Sequence, residues 1–147
     1  MKSKLILMCA VVSISLGLFA CSSAAAKQVQ VSVDCNDFME QKHISKEVEV
    51  AVDGSLTVTL CSNPTTGFIW SESADISDQT LLEQTGHEFI APEGEGDEPP
   101  APGTTGKEVW TFKALKKGTT EVSMEYSRPW EGGEKGEWTY TLTVVVK

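Results

Sequence analysis

The sequence predicts an all-β fold: an immunoglobulin-like β-sandwich of about seven short strands. Apolar and polar residues alternate along most of the chain after residue 27, as expected of strands that bury one face. β-Branched and aromatic residues dominate these runs, and turn-forming residues separate them. Many short strands with frequent turns and no internal repeat are typical of two packed sheets.

Seven alternating runs define the predicted strands, at residues 29–33, 48–52, 56–60, 68–70, 110–114, 122–126 and 138–146. Asp53-Gly54, between the second and third runs, favours a tight hairpin. The segment 81–90 is ambiguous and fits a strand that follows a short helical turn.

The N-terminus predicts export. A basic start with Lys2 and Lys4 precedes an apolar stretch that ends in Leu18-Phe19-Ala20-Cys21, a pattern typical of a signal peptide over residues 1–20. A cysteine after a small residue resembles the lipobox of bacterial lipoproteins. That resemblance implies cleavage before Cys21 and lipidation of its sulfur. The small polar residues that follow predict a tether over 21–27, before a folded domain over 28–147. The alternatives are plain secretion and an uncleaved anchor.

Charge narrows the possible partners. The chain carries a formal net charge of −9, and cleavage after residue 20 would remove two lysines and no acids. Nucleic-acid binding requires a basic patch, so this class is not expected. Attachment to a membrane is expected through the lipid at Cys21 and not through the folded domain.

Two cysteines remain in the mature domain, Cys35 and Cys61. An exported protein favours a disulfide between them, with buried thiols or metal ligands as alternatives. The strand phase complicates this pairing, because Cys35 continues the face of Val33 whereas Cys61 is out of phase with Leu60. The pairing would therefore need a bulge or a strand end at Cys61.

No catalytic or metal-binding constellation is evident. His43 and His87 lie in unrelated segments without ligand spacing, and no nucleophile motif or phosphate loop occurs. The acidic cluster within 93–98 lacks an EF-hand pattern and is typical of a solvated charge run. The sequence predicts no metal, no other cofactor and no enzymatic activity.

The segment Asn63-Pro64-Thr65-Thr66-Gly67-Phe68 predicts a stiff, exposed loop. Pro64 suits the second position of a tight turn, and Gly67 can adopt the positive φ that closes one. The threonines between them offer hydroxyls but no titratable group. The loop is therefore suited to contact and not to chemistry, although an ordinary interstrand turn fits the same residues.

Two longer segments interrupt the strand pattern. Residues 91–106 are rich in proline, glycine and acids and end in Pro102, Gly103, Thr104, Thr105 and Gly106. Residues 127–136 begin with Arg128, Pro129 and Trp130. Tryptophan on a polar loop exposes a large apolar ring, and Arg and Trp dominate binding hot spots. Alternatively, Trp130 folds back onto the sandwich with Arg128 stacked on it.

In this order and spacing, the three motifs resemble chagasin-type inhibitors of papain-like cysteine proteases over residues 48–146. The resemblance implies three loops at one end of the sandwich. Residues 63–67 would enter the protease cleft near its catalytic Cys and His. Residues 102–106 would follow the non-primed side, and 128–130 would pack near the His on the primed side. Ala101-Pro102 replaces the large aliphatic residue of some members, which leaves the target preference open.

These motifs predict a monomeric, reversible, tight-binding and non-covalent inhibitor, anchored in the cell envelope or secreted. The alternative is a cell-surface lipoprotein whose immunoglobulin-like domain acts in adhesion or ligand binding. A structural role in the envelope is a third possibility.

Overall fold

Two β-sheets pack face to face in the computed structural model, which describes residues 24–94 and 98–147. The predicted signal peptide and Cys21 lie outside the described residues. The elements are β1 (Gln28–Val33), α1 (Cys35–Glu40), β2 (His43–Val50), β3 (Ser55–Ser62), a 3₁₀ turn (Pro64–Thr66), β4 (Ile69–Trp70), β5 (Asp75–Ile76), β6 (Leu82–Ile90), β7 (Gly106–Ala114), β8 (Gly118–Ser127) and β9 (Trp138–Val146).

The predicted β-sandwich is confirmed, with nine strands in the described residues, two of them only two residues long. One sheet has the order β1-β3-β7-β6 and the other β2-β9-β8-β4, with β5 also paired to β8. The ambiguous segment 81–90 is mostly strand β6, with a bulge between Gln84 and Gly86. The sequence did not predict α1 or β5.

The predicted hairpin at Asp53-Gly54 is wrong. β2 pairs in parallel with β9, whereas β3 lies in the other sheet, parallel to β1 and antiparallel to β7. The tight turn, closed by the Gly54 amide donating to the Ala51 carbonyl at 2.9 Å, carries the chain from one sheet to the other. Alternation shows that each run has a buried face but does not say which sheet it joins.

The core lies between the sheets and is strongly aromatic towards one end. Trp70, Trp110 and Tyr126 are buried there among aliphatic side chains. Phe38 of α1 joins them, stacked on Trp138 with ring centroids 5.1 Å apart. A six-residue helix is marginal by itself, so this burial of Phe38 is what holds α1 in place.

The Cys35–Cys61 disulfide is present, with the two Cα atoms 5.1 Å apart. The bulge or strand end expected at Cys61 is absent, because Cys61 keeps its regular pairing with Lys107 and β3 continues to Ser62. The phase conflict disappears because Cys35 begins α1 and no longer follows the alternation of β1. The bond therefore ties α1 to β3 two residues before Asn63.

No helix of the described residues is long and apolar enough to span a membrane.

Tyr140 on β9 is fully buried, and its hydroxyl has no hydrogen-bond partner among the described residues. Burial raises the pKa of this hydroxyl to about 12. In the unfolded chain the pKa is near its ordinary value of ~10, so the unfolded chain ionises first as the pH rises. Ionisation of Tyr140 therefore does not lower the free energy of unfolding below pH 10, but lowers it progressively as the pH rises from 10 towards 12.

Tyr140→Phe is therefore expected to keep or raise the free energy of unfolding at pH 7, by up to ~1 kcal/mol, because it removes an unpaired buried hydroxyl. The variant should also lose less stability than wild type between pH 10 and pH 12. Urea unfolding at both pH values measures this. Tyr126→Phe is the matched control: its hydroxyl accepts the Asn63 amide at 2.9 Å, so its loss should destabilise the protein. A Tyr140→Phe variant as unstable as the control would contradict the assignment.

Candidate functional site

Three loops meet at one end of the sandwich, which we call the loop pole. The first loop (63–67) joins β3 to β4, the second (101–105) precedes β7, and the third (128–137) joins β8 to β9. The Asn63 side-chain amide donates to the Gly103 carbonyl at 3.3 Å, and the Arg128 guanidinium donates to the Thr66 carbonyl at 3.4 Å. The structure thus brings the three sequence motifs together, with the first loop in the middle.

The first loop is stiffened by its own hydrogen bonds. The Gly67 amide donates to the Pro64 carbonyl at 3.0 Å, and Gly67 has the expected positive φ of 80°. The Asn63 carbonyl accepts both the Thr66 amide, at 3.2 Å, and the Thr66 hydroxyl, at 2.7 Å. The Thr65 hydroxyl donates to the Asn63 side chain at 2.6 Å. Pro64, Thr65 and Thr66 are exposed, so this rigid turn faces solvent.

The second loop ends in a turn typical of type II. The Thr104 amide donates to the Ala101 carbonyl at 3.1 Å, Pro102 occupies the second position, and Gly103 has φ 84° at the third. Residues 101–105 are exposed. Gly106, predicted as part of this loop, is buried and begins β7. A Cβ at Gly106 would lie 2.5 Å from the Ile90 carbonyl oxygen and 2.7 Å from the Phe89 ring, so glycine permits the close approach of β7 to β6 here.

Arg128 caps an aromatic stack that runs into the core. Its guanidinium carbon lies 4.4 Å from the centroid of Phe68, and Phe68 stacks on Tyr126 at 5.5 Å. Tyr126 in turn stacks on Trp138 at 4.8 Å. Glu134 orients the guanidinium through an ion pair at 2.8 Å. Phe68, predicted to contact a partner, is buried, so its visible role is to support Arg128.

Trp130 packs on the first loop and remains 52% exposed. A Cβ added at Gly67 would lie only 2.7 Å from Trp130 Cη2, too close for two carbon atoms. The contact is therefore possible because Gly67 has no side chain. Arg128 lies farther from the Trp130 ring, 5.9 Å, than from Phe68. One edge of Trp130 is therefore packed on the first loop, and the rest of the ring is open to solvent. The sequence had allowed either an exposed ring or one folded back onto the sandwich, and the structure combines the two.

Exposed apolar side chains concentrate around the loop pole. Six large hydrophobic residues of the described chain are exposed, and five of them surround the pole: Met39, Ile69, Phe89, Ile90 and Trp130. An apolar groove of about 270 Å³ lies beside the loops, between Met39 on α1 and the side chains of Asn63, Thr66 and Thr105. Sequence reasoning missed Met39 because α1 was not predicted. Phe89 and Ile90 are adjacent, so in a strand they point to opposite faces of the sheet. This break in the apolar alternation could have indicated that at least one of the two side chains is exposed.

The first two loops present only uncharged side chains to solvent. The exposed parts of the first and second loops, residues 64–66 and 101–105, contain no titratable side chain. No group of three potential metal ligands occurs within 24–94 and 98–147. The arrangement can bind a partner surface through hydroxyls, proline rings and one indole.

Gly67→Ala and Gly103→Ala form a matched test of this geometry. Both positions have positive φ, so each alanine should cost ~1 kcal/mol of unfolding free energy. Only Gly67→Ala should also displace Trp130, because a Cβ at Gly103 meets no atom within 4 Å. Urea unfolding and the Trp130 indole N–H resonance in NMR spectra measure the two effects. An unmoved Trp130 resonance in Gly67→Ala would argue against the contact.

Comparisons with known proteins agree with this architecture. The profile of the chagasin family of peptidase inhibitors, I42, matches residues 49–144. Amoebiasin-2 from Entamoeba histolytica is 27% identical over 109 residues, which cover 74% of this chain and 84% of that protein.

Two solved structures share the fold. The cysteine protease inhibitor EhICP2 from Entamoeba histolytica superposes with a TM-score of 0.59 at 21% identity, over 82% of this chain and 97% of its own. PbICP-C, solved in complex with falcipain-2, gives a TM-score of 0.58 at 15% identity, over 79% and 98%. The chain belongs to the chagasin family, whose members are peptidase inhibitors and not enzymes.

Proposed function

We propose that this protein is a monomeric, reversible, tight-binding and non-covalent inhibitor of papain-like cysteine endopeptidases, whose active-site cleft its three loops occupy. The observation that carries the proposal is the loop pole itself: the second and third loops are each hydrogen-bonded to the first, and together they form one exposed surface. Membership of a peptidase-inhibitor family supports this, as does PbICP-C, a protein of the same fold that was solved bound to falcipain-2.

The first loop is shaped to enter a cleft without being cleaved. Its Asn63 and Pro64 carbonyls accept hydrogen bonds within the turn, so the backbone is held tightly curved and not extended like a substrate. A peptide reacts only when its carbonyl reaches attack geometry, and this turn holds its carbonyls away from it. Thr65 and Thr66 remain available to face polar catalytic groups.

Preorganisation explains how such loops can bind tightly. The contacts of Asn63 with Gly103, Arg128 with Thr66 and Trp130 with Gly67 exist before any partner is present. Binding then costs little conformational entropy, and protease–inhibitor interfaces of about 1,600 Å² are among the tightest known.

In the arrangement that we propose, the first loop lies nearest the catalytic Cys and His of the protease. The second loop, with Pro102 at its tip, follows the non-primed side, and Arg128, Pro129 and Trp130 cover the primed side. Phe68 supports Arg128 from beneath, and Gly106 begins β7. Pro102 replaces a large aliphatic residue and is expected to influence which proteases bind.

Papain provides the direct test. Purified protein is expected to stop hydrolysis of a fluorogenic peptide at near-stoichiometric amounts, and dilution should restore the activity. Mass spectrometry of the recovered inhibitor should show an uncut chain. Trypsin, which has a serine nucleophile, is the control and should remain active. An unchanged papain rate would reject inhibition and favour the adhesion or ligand-binding alternative.

Trp130→Ala should weaken papain inhibition strongly, because Trp130 is the largest exposed apolar side chain at the pole. A hot-spot residue is worth ~2–4 kcal/mol, so the inhibition constant should rise ~30- to 700-fold. Leu115→Ala is the matched control: Leu115 is also exposed but follows β7 at the opposite end of the sandwich. Equal inhibition constants for the two variants would remove Trp130 from the interface.

We also propose that the protein is exported and anchored to a membrane through a lipid on Cys21. Gln28 pairs with Ser55, at the end of β3 farthest from the first loop. Ala26 and Lys27 accept backbone hydrogen bonds from Ala51 and Ser55 at the same end. An anchor there would direct the loops away from the membrane, because the eight residues of β3 span about 25 Å.

The anchor is testable by mass spectrometry of protein expressed in a bacterium that lipidates exported proteins. The mature chain should begin at Cys21, carry a diacylglyceryl group and partition with membranes. Cys21→Ser should lose both the lipid and the membrane association while still inhibiting papain. A wild-type chain without lipid would contradict the anchor but not the inhibition.

A further inference from the structure

A buried polar cluster lies directly beneath the loop pole. The Ser62 hydroxyl donates to Glu108 Oε1 at 2.7 Å, and Glu108 Oε2 lies 2.8 Å from His87 Nε2. The three residues come from β3, β7 and β6. Ser62 is fully buried and Glu108 is 6% exposed, so neither side chain can reach a partner protein.

The cluster sits where two of the loops begin. Ser62, the last residue before the first loop, pairs with Gly106, the first residue after the second loop. Glu108 lies two residues beyond Gly106 on the same inward face. His87 binds the second carboxylate oxygen of Glu108 and packs on Trp110, with ring centroids 4.9 Å apart. Glu108 therefore links the base of the first loop to the strand that carries the second.

Stability alone does not explain a carboxylate at this position. Burying a charged group is costly, and replacing a whole buried ion pair by apolar side chains of similar volume often leaves a protein equally or more stable, so a buried pair is weak evidence of stabilisation. The directional bonds of Glu108 instead fix how β3 and β7 sit relative to each other where the loops depart. An apolar side chain would fill the same space without fixing that geometry.

We propose that Ser62, Glu108 and His87 are positioning residues, which set the relative placement of the first and second loops for binding to the protease. This inference rests on the proposed inhibitory function. Ser62 and Glu108 are buried and therefore act through the loops without touching the protease.

Glu108→Met and Glu108→Gln form the central test, because the two replacements have similar volume and only Gln can keep hydrogen bonds to Ser62 and His87. Glu108→Met should raise the papain inhibition constant at least ~10-fold, the equivalent of one hydrogen bond to a charged group. Its melting temperature should fall, because the buried Ser62 hydroxyl loses its acceptor. The inhibition constant of Glu108→Gln should remain within about threefold of wild type, because this replacement removes the charge but keeps the hydrogen bonds.

The control is Thr120→Val, which removes a hydroxyl that is also buried and accepts the Asp78 amide at 3.0 Å, near the opposite end of β8. This variant should inhibit papain as wild type does. If Glu108→Met inhibits like wild type, or if Glu108→Gln loses as much as Glu108→Met, the proposal is wrong. Should Glu108→Met fail to fold, Ser62→Ala decides in its place, with a weaker inhibition constant expected and an unchanged one overturning the proposal.

A second measurement separates this inference from the proposed function. Backbone amide resonances of residues 63, 65–67 and 103–105 should shift in Glu108→Met and stay in place in Thr120→Val, whether or not papain is inhibited. Unshifted loop resonances in Glu108→Met would overturn the positioning role. A wild-type protein that leaves papain active would reject the inhibitory function and leave the NMR result to decide the positioning role alone.

Discussion

The contact between Arg128 and Phe68 is the interaction on which the loop pole depends. The guanidinium covers Phe68, which continues through Tyr126 and Trp138 to Phe38 in a column of stacked rings. The same guanidinium bonds the Thr66 carbonyl, and the Tyr126 hydroxyl accepts the Asn63 amide. The first and third loops are therefore attached directly to the end of the densely packed aromatic core.

This construction suits a protein that acts by shape. The disulfide and α1 brace the end of β3, the Ser62–Glu108–His87 cluster lies between the first two loops, and Gly67 leaves room for Trp130. Each of these contacts restricts the conformation of a loop before a partner binds. The conformational entropy lost on binding is then smaller, which allows a small surface to bind tightly. The exposed apolar residues around the pole then supply area that is buried only on association.

Sequence alone predicted the sandwich and the three motifs, because apolar alternation and turn residues act over a few neighbours. It placed the turn at Asp53-Gly54 correctly but wrongly paired the two flanking strands as a hairpin, since period 2 does not identify the sheet that a strand joins. It missed α1, which is too short to show helical periodicity and is held by the tertiary burial of Phe38. The polar cluster was also invisible, because Ser62 and Glu108 are 46 residues apart and meet only through strand pairing.

Hydrogen–deuterium exchange of the papain complex would test the central claim most directly. If three preformed loops make up the inhibitory surface, papain should protect residues 63–67, 101–105 and 128–130 together, and the strands beneath them should exchange as in the free protein. Protection confined to one loop, or located at the opposite end near Gln28 and Leu115, would contradict the account.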